Sequence, residues 1–383
     1  MYRLLLTFLL ATSVAHAAEV DADRQLTNSL LAVTQSRMPE AVTAVDKLTQ
    51  QHPNFRLAQL VKGDLLLARA RPLETLGNIQ SRSTELDQLR LEARQRVHAA
   101  TESLSQDKVP AYLLNLDVSY RHALVVDASR ARLYVYENRA GLPVRVADFY
   151  VTIGKAGAGK QKEGDNRTPI GIYTVSGFKS PRELTDFYGS GAFTLSYPNE
   201  WDTRQGRNGH GIWIHGSPSS TYSRTPRASE GCVVLANDDL KRLGQYIQTG
   251  KTPIIIAEQV EWVAYDTLDT RRNDLAAALD QWREDWESRD TTRLLSHYSP
   301  SFRTGPQDFQ TFGASKQKVN ASKSWIKVGL SKVSLMLYPE RPDFALVSFV
   351  QDYQSSNLSD RTTKRQFWSR ENGRWKIIHE TSL

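Results

Sequence analysis

Ser229-Glu230-Gly231-Cys232-Val233-Val234 places the one cysteine of this 383-residue chain directly after a glycine and directly before an apolar, strand-like run. Glycine lets the backbone turn sharply, so the amides of Gly231 and Cys232 are both expected to point into a cleft. Two converging amides are what an oxyanion hole requires. A nucleophilic thiol also needs a base within hydrogen-bond reach. Upstream, Gly211-Ile212-Trp213-Ile214-His215 reads as a strand that ends in histidine and is followed at once by Gly216 and a Ser/Pro-rich loop. Strand alternation puts Trp213 and His215 on one face and Ile212 and Ile214 on the other. Cys232 and His215 are therefore the candidate nucleophile and base.

The start of the chain sets the expected compartment. Arg3, the apolar stretch Leu4 to Val14 and the small-x-small motif Ala15-His16-Ala17 predict a signal peptide over residues 1–17 and an exported, periplasmic protein. An unpaired cysteine under oxidising conditions is at risk unless buried or used. Hydrophobic residues make up 40% and charged residues 24%, which excludes wholesale disorder and a membrane bundle. The formal charge of +7 comes without a block of like charges, so no nucleic-acid partner is expected, and an acidic polymer suits it as well. After signal cleavage no membrane span is expected.

Working outward, residues 18–110 read as helices. Leu26, Leu30, Leu31 and Val33, then Ala41, Val42, Val45 and Leu48, recur near helical spacing, and His52-Pro53-Asn54 breaks the run before Phe55 to Leu67. The hairpin has a tetratricopeptide-like look or suits self-association as a homodimer. Leu86 to Val97 adds one charged helix. Residues 118–260 change to short strands with glycine turns, which argue a mostly-β sandwich or barrel. Gly154-Lys155-Ala156-Gly157-Ala158-Gly159 lacks the ending of a phosphate loop and is expected to be a mobile loop. Residues 266–383 open with a helix carrying Trp282 and Trp286 four apart. Strands then follow at Phe344–Tyr353, Lys364–Ser369 and Arg374–Glu380, the last two joined by a turn centred on Asn372-Gly373. That pattern is an α+β unit. Its aromatics Trp325, Tyr353, Phe367, Trp368 and Trp375 are expected as core and pocket lining.

Ile214-His215-Gly216 followed by Ser229-Glu230-Gly231-Cys232, with Thr168-Pro169-Ile170-Gly171-Ile172-Tyr173 upstream, resembles the L,D-transpeptidase (YkuD-type) catalytic domains of bacterial cell-wall enzymes. Glu230 stands where most members have histidine, and Val234-Leu235 replaces an arginine that often follows the cysteine. This variant is similar to a branch of cell-shape L,D-carboxypeptidases with an N-terminal helical region and a C-terminal NTF2-like domain. The C-terminal stretch through Phe349-Val350-Gln351-Asp352-Tyr353 and Gly373-Arg374-Trp375 looks like that domain.

The resemblance implies a fold of three parts: an N-terminal α-helical region, a central mostly-β YkuD-type domain and a C-terminal α+β NTF2-like domain. It implies a thioester mechanism on peptidoglycan stem peptides, with Cys232 as nucleophile, His215 as base and the Gly216 carbonyl orienting the imidazole. Gly231, Ser229 and Trp213 are the expected oxyanion and substrate-binding residues, and no metal or cofactor is expected. Removal of the terminal D-alanine from tetrapeptide stems is the leading expectation. The alternatives are 3-3 cross-linking, attachment or detachment of a wall-linked protein, and an inactive wall-binding scaffold. A carboxylate at Glu230 should raise the thiol pKa unless it points away or pairs with a base, for which Arg224 and Arg227 are the candidates. The C-terminal unit is expected to position substrate or bind a partner.

Overall fold

The computed structural model describes residues 21–77, 83–102, 104–105 and 107–383; the expected signal peptide lies outside them. Four helices open the described chain: Ala22–Thr34, Met38–Gln51, Arg56–Leu67 and Thr84–Thr101. The carboxylate of Asp21 caps the first by accepting from the Asp23 amide at 2.9 Å. The apolar positions that repeat at helical spacing face inward, so that Leu26, Leu30, Ala41, Val45, Leu48, Leu57, Val61 and Leu65 form one small core.

Eight strands form the central sheet, in the order Val233–Val234, Trp213–His215, Ala192–Leu195, Gly171–Lys179, Pro253–Ala257, His122–Asp127, Arg132–Arg139 and Leu142–Tyr150. Two pairings are parallel, Val233–Val234 with Trp213–His215 and Pro253–Ala257 with His122–Asp127. The sheet curls until its edges nearly meet: Thr152, just past one edge strand, and Val234, on the other, exchange backbone hydrogen bonds of 2.9 Å. A single bridge does not make a closed barrel. The sheet stays open, which corrects the barrel half of the expectation.

The C-terminal unit is a seven-stranded sheet with the helices Tyr265–Glu287, Thr291–Leu295 and Phe309–Ala321 against it. Its long strands Ile326–Tyr338, Arg341–Ser355, Leu358–Glu371 and Arg374–Ser382 are antiparallel neighbours. Asn372 and Gly373, with φ of 50° and 77°, make the tight turn between the last two, the left-handed conformation that Asn-Gly tolerates. Tyr353, Phe367, Trp368 and Trp375 are buried as expected. Trp325 is not, at 48% exposed, because it precedes its strand at the rim of the sheet.

The edge of this sheet comes from elsewhere in the chain. Leu113–Asn115, ahead of the catalytic strands, pairs with Leu335 and Met336. Lys108–Pro110 pairs with Trp262–Ala264, so the chain enters and leaves the central sheet side by side. One apolar core runs through both units, from Val125, Tyr134 and Ile255 to Trp282, Phe344 and Trp368.

Candidate active site

Trp213–His215 is short, and its alternation is as the sequence predicts. Ile212 and Ile214 enter the sheet core, while Trp213 and His215 both meet the ring of Tyr188, at 5.1 and 5.0 Å. His215 is 1% exposed. Its Nδ1 lies 2.7 Å from the Gly216 carbonyl oxygen. A carbonyl only accepts, so Nδ1 carries the proton and Nε2 keeps its lone pair. Glycine at 216 is a steric requirement: a Cβ there would sit 2.1 Å from Asn237 Oδ1, an atom that also takes the Ser190 amide at 2.8 Å.

The parallel pairing of Val233 with Ile214 and of Val234 with His215 brings the cysteine turn to this strand. Cys232 is half-buried, with Sγ 3.4 Å from the Gly211 carbonyl and the Trp213 amide donating to it. Gly231 has φ of 130°, which strains any side chain, and a Cβ would meet the Arg167 carbonyl at 2.8 Å. Thr168, fully buried, donates to the Gly231 carbonyl at 2.9 Å and accepts the Gly154 amide at 2.9 Å. The Thr-Pro segment is thereby a bolt between the Cys232 turn and the glycine-rich loop.

That loop is tied down rather than loose. Ile153–Gly154 pairs with Arg227–Ser229, and Ala156 and Thr168 add backbone bonds of 3.1 and 3.0 Å. It delivers Lys160, 4% exposed, whose ammonium is 2.9 Å from Asp165. Burial alone would raise the Asp165 carboxyl. Lys160 and the amides of Gln161, Lys162 and Arg167 instead hold it well below the usual range.

Ser229 is buried, donates to the Cys232 carbonyl at 2.6 Å and accepts the Gly231 amide at 3.1 Å. Ser229 thus braces the turn and does not face the cleft. The Gly231 amide is spent on it, which corrects the expected pair of oxyanion donors and leaves the Cys232 amide as the candidate. Glu230 is 78% exposed on its side chain, with Lys155 at 3.8 Å as its partner. Neither expected arginine pairs with it. Arg227 instead reaches Glu258 at 3.5 Å, and Arg224 lies over the Phe187 ring at 4.8 Å.

The electrostatics favour a neutral pair. Burial pushes the thiol up, and Glu230 adds to this, while the Trp213 amide, Arg224 and Lys160 oppose it. Burial pushes His215 down to about 4, against the pull of the Gly216 carbonyl and with a further push from Arg224. His215 ends one of two paired strands and Cys232 directly precedes the other, and an unprotonated imidazole can take a thiol proton as the sulfur attacks, without a standing thiolate–imidazolium pair. Sequence reasoning missed Lys160, Tyr188 and the bracing role of Thr168. Only Thr168, inside the Thr-Pro-x-Gly-x-Tyr segment, carried a signal.

Comparison with known proteins follows the same division. The L,D-transpeptidase catalytic domain (YkuD) family matches residues 121–256, and the Cds6 C-terminal NTF2-like domain family matches residues 274–381. No curated protein matches the chain. Among solved structures, Bd1075 of Bdellovibrio bacteriovorus is 31% identical over 72% of this chain and 98% of its own, with a TM-score of 0.65. The helical cell shape determining protein Pgp2 of Campylobacter jejuni is 26% identical over 74% of this chain and 97% of its own, with a TM-score of 0.60. Both domain matches and the near end-to-end cover of Bd1075 lead to one statement: the chain belongs to the YkuD-type L,D-transpeptidase family of cysteine-dependent peptidoglycan enzymes, in the group that carries a Cds6-type NTF2-like domain.

Proposed function

We propose that the chain is an L,D-carboxypeptidase that removes the terminal D-alanine from tetrapeptide stems of peptidoglycan and so acts on cell shape. The observation that carries the reading is the His215–Gly216 bond, which leaves Nε2 as a free acceptor on the strand paired with the Cys232 turn. The variant motif around Cys232, the NTF2-like domain and the likeness to a cell-shape determinant support trimming over cross-linking.

His215 Nε2 takes the thiol proton as Cys232 Sγ bonds to the carbonyl carbon of the third stem residue, a diamino acid joined through its L-centre. The carbonyl electrons move to oxygen, where the Cys232 amide meets them. Collapse of this adduct breaks the C–N bond, and His215 returns its proton to the departing amine of D-alanine. The remaining thioester is attacked by water, whose proton passes to His215. Tripeptide carboxylate leaves, and the thiol is restored. Such a substrate places the enzyme in the cell envelope, with residues 1–17 as the export signal.

Incubation with disaccharide-tetrapeptide tests the reading. Free D-alanine and a tripeptide product support trimming, whereas 3-3 linked dimers make the chain a transpeptidase. Cys232→Ala stops either reaction. A wild-type chain that neither turns over nor forms a carbapenem adduct of the expected mass would be a scaffold.

A further inference from the structure

The loop between the two motif halves, residues 217–226, is gripped by the N-terminal helices. Ser223 Oγ donates to Glu92 at 2.7 Å. Glu92 itself is 1% exposed and paired with Arg96 at 2.8 Å on the helix Thr84–Thr101. The Tyr222 ring stacks on Phe55 with centroids 4.5 Å apart and packs on His52 at the same distance. The Tyr222 amide donates to the Asn54 carbonyl at 3.2 Å, and the Asn54 side chain donates to the Ser219 carbonyl at 3.0 Å. From the catalytic side, Tyr150 and Thr152 donate to the Arg224 carbonyl at 3.0 and 3.1 Å. Arg96 closes the circuit by lying 3.8 Å over the Tyr150 ring. The backbone around residue 224 is thus held on two sides.

What the loop presents is the Arg224 side chain. Its guanidinium lies 4.8 Å over Phe187, whose ring is 5.8 Å from that of His215. It acts on both the thiol and the imidazole. Among the described residues it has no carboxylate partner: Glu230 is 3.8 Å from Lys155, and Asp186 takes the Ser219 amide and hydroxyl. A half-buried cation without a counter-charge is costly, and a ligand that brings an anion relieves it.

We infer that Arg224 is a specificity-determining residue that receives the free carboxylate of the residue being released, and that the N-terminal helices hold it in place through Ser223 and Tyr222. This rests on the proposed carboxypeptidase reading. The chemistry sets the distance. In a terminal substrate the carboxylate lies one residue, about 3.5 Å, beyond the scissile bond. A cation that reads it must therefore stand beside the thiol, and a guanidinium offers a two-pronged fit. An amide-capped or internal peptide brings no such charge.

The test compares tetrapeptide stems ending in D-alanine with the same stems ending in D-alaninamide, using the full chain. Loss of a charged hydrogen bond predicts a wild-type preference for the acid in kcat/KM of about 10–100-fold. Arg224→Gln reduces that ratio to near unity, Arg224→Lys keeps part of it, and Ser223→Ala or Glu92→Gln lowers it by a smaller factor. A purely structural role would depress both substrates together and leave the ratio intact; that result overturns the inference. If the wild type releases no D-alanine, the functional reading fails instead. Calorimetric binding to Cys232→Ala protein then decides on Arg224: tighter binding of acid than of amide, lost in the Arg224→Gln background, sustains its role, and equal binding refutes it.

Discussion

The catalytic domain meets its two neighbours across seams of opposite chemistry. Toward the NTF2-like domain the seam is apolar at its centre. Trp201, on the short helix Glu200–Arg204, packs 4.5 Å from Phe344 and 6.1 Å from Phe367. Two polar bonds accompany it, a buried one from Asn199 to Tyr338 at 2.8 Å and a partly buried one from Arg365 to Glu200 at 2.8 Å. Toward the N-terminal helices the centre is ionic. Arg96, 3% exposed, pairs with Asp23 and Glu92, and Arg132 bridges Asp23 at 2.6 Å and Asp148. Among the described residues, only Tyr222 and Ala236 of the catalytic domain join the apolar core of the helices. Burying carbon surface is non-directional and fuses two units into one body. Burying paired charges gains little net free energy but demands one geometry. The first seam supplies rigidity, and the second aims a loop.

Four measurements break or sharpen this contrast. Trp201→Ala opens a void in the apolar seam and costs about 3–5 kcal/mol, read from denaturant unfolding of the full chain, with little dependence on salt. Arg96→Met removes the buried cation shared by Asp23 and Glu92, leaves Asp23 to Arg132 alone, and costs about 3 kcal/mol. Replacing Asp23, Glu92 and Arg96 together by apolar residues recovers most of that stability. In the same triple variant the acid-over-amide ratio falls. A variant that keeps both would show the ionic seam to be ordinary packing.

Acid probes the strand between the seams. His215 has a folded pKa of about 4 against 6.5 for the free side chain, so between these values the unfolded chain binds a proton that the folded chain refuses. Its contribution is fully present above pH 6.5 and is lost as pH falls toward 4, by roughly 3 kcal/mol in all. Urea midpoints at stepped pH check this, and His215→Gln flattens the slope. The same shift keeps the base unprotonated, so the acid limb of kcat/KM lies below the usual imidazole range. The smallest effect belongs to Glu230. Exposed beside Lys155, it raises the thiol only weakly, and Glu230→Gln should move the rate at pH 7 by less than about threefold.

The apolar seam also changes what a domain deletion means. Removing residues 266–383 would strip Leu113–Asn115 of its partner strand and cut the shared core in two. Its effect on activity would report folding rather than substrate positioning. Point substitutions on the C-terminal sheet are the cleaner probe.

What was legible in the residues was local. The alternation of Trp213 and His215, the Asn372-Gly373 turn, the pairing of Trp282 with Trp286 at 5.4 Å and the helices broken at His52-Pro53 follow from periods and backbone preferences a few residues long. Those patterns, with Cys232 and His215 in their motif, determined the fold class and the chemistry to look for. Other facts joined positions far apart in the chain. Leu113–Asn115 crosses to the C-terminal sheet, Thr168 binds the Gly231 carbonyl, Glu230 reaches Lys155, and two separate loops bring the charges of Lys160 and Arg224 to bear on the thiol. No short window of sequence contains such pairings, because each is decided by how sheets and helices pack, and that is why only the tertiary structure could place the charges around the sulfur.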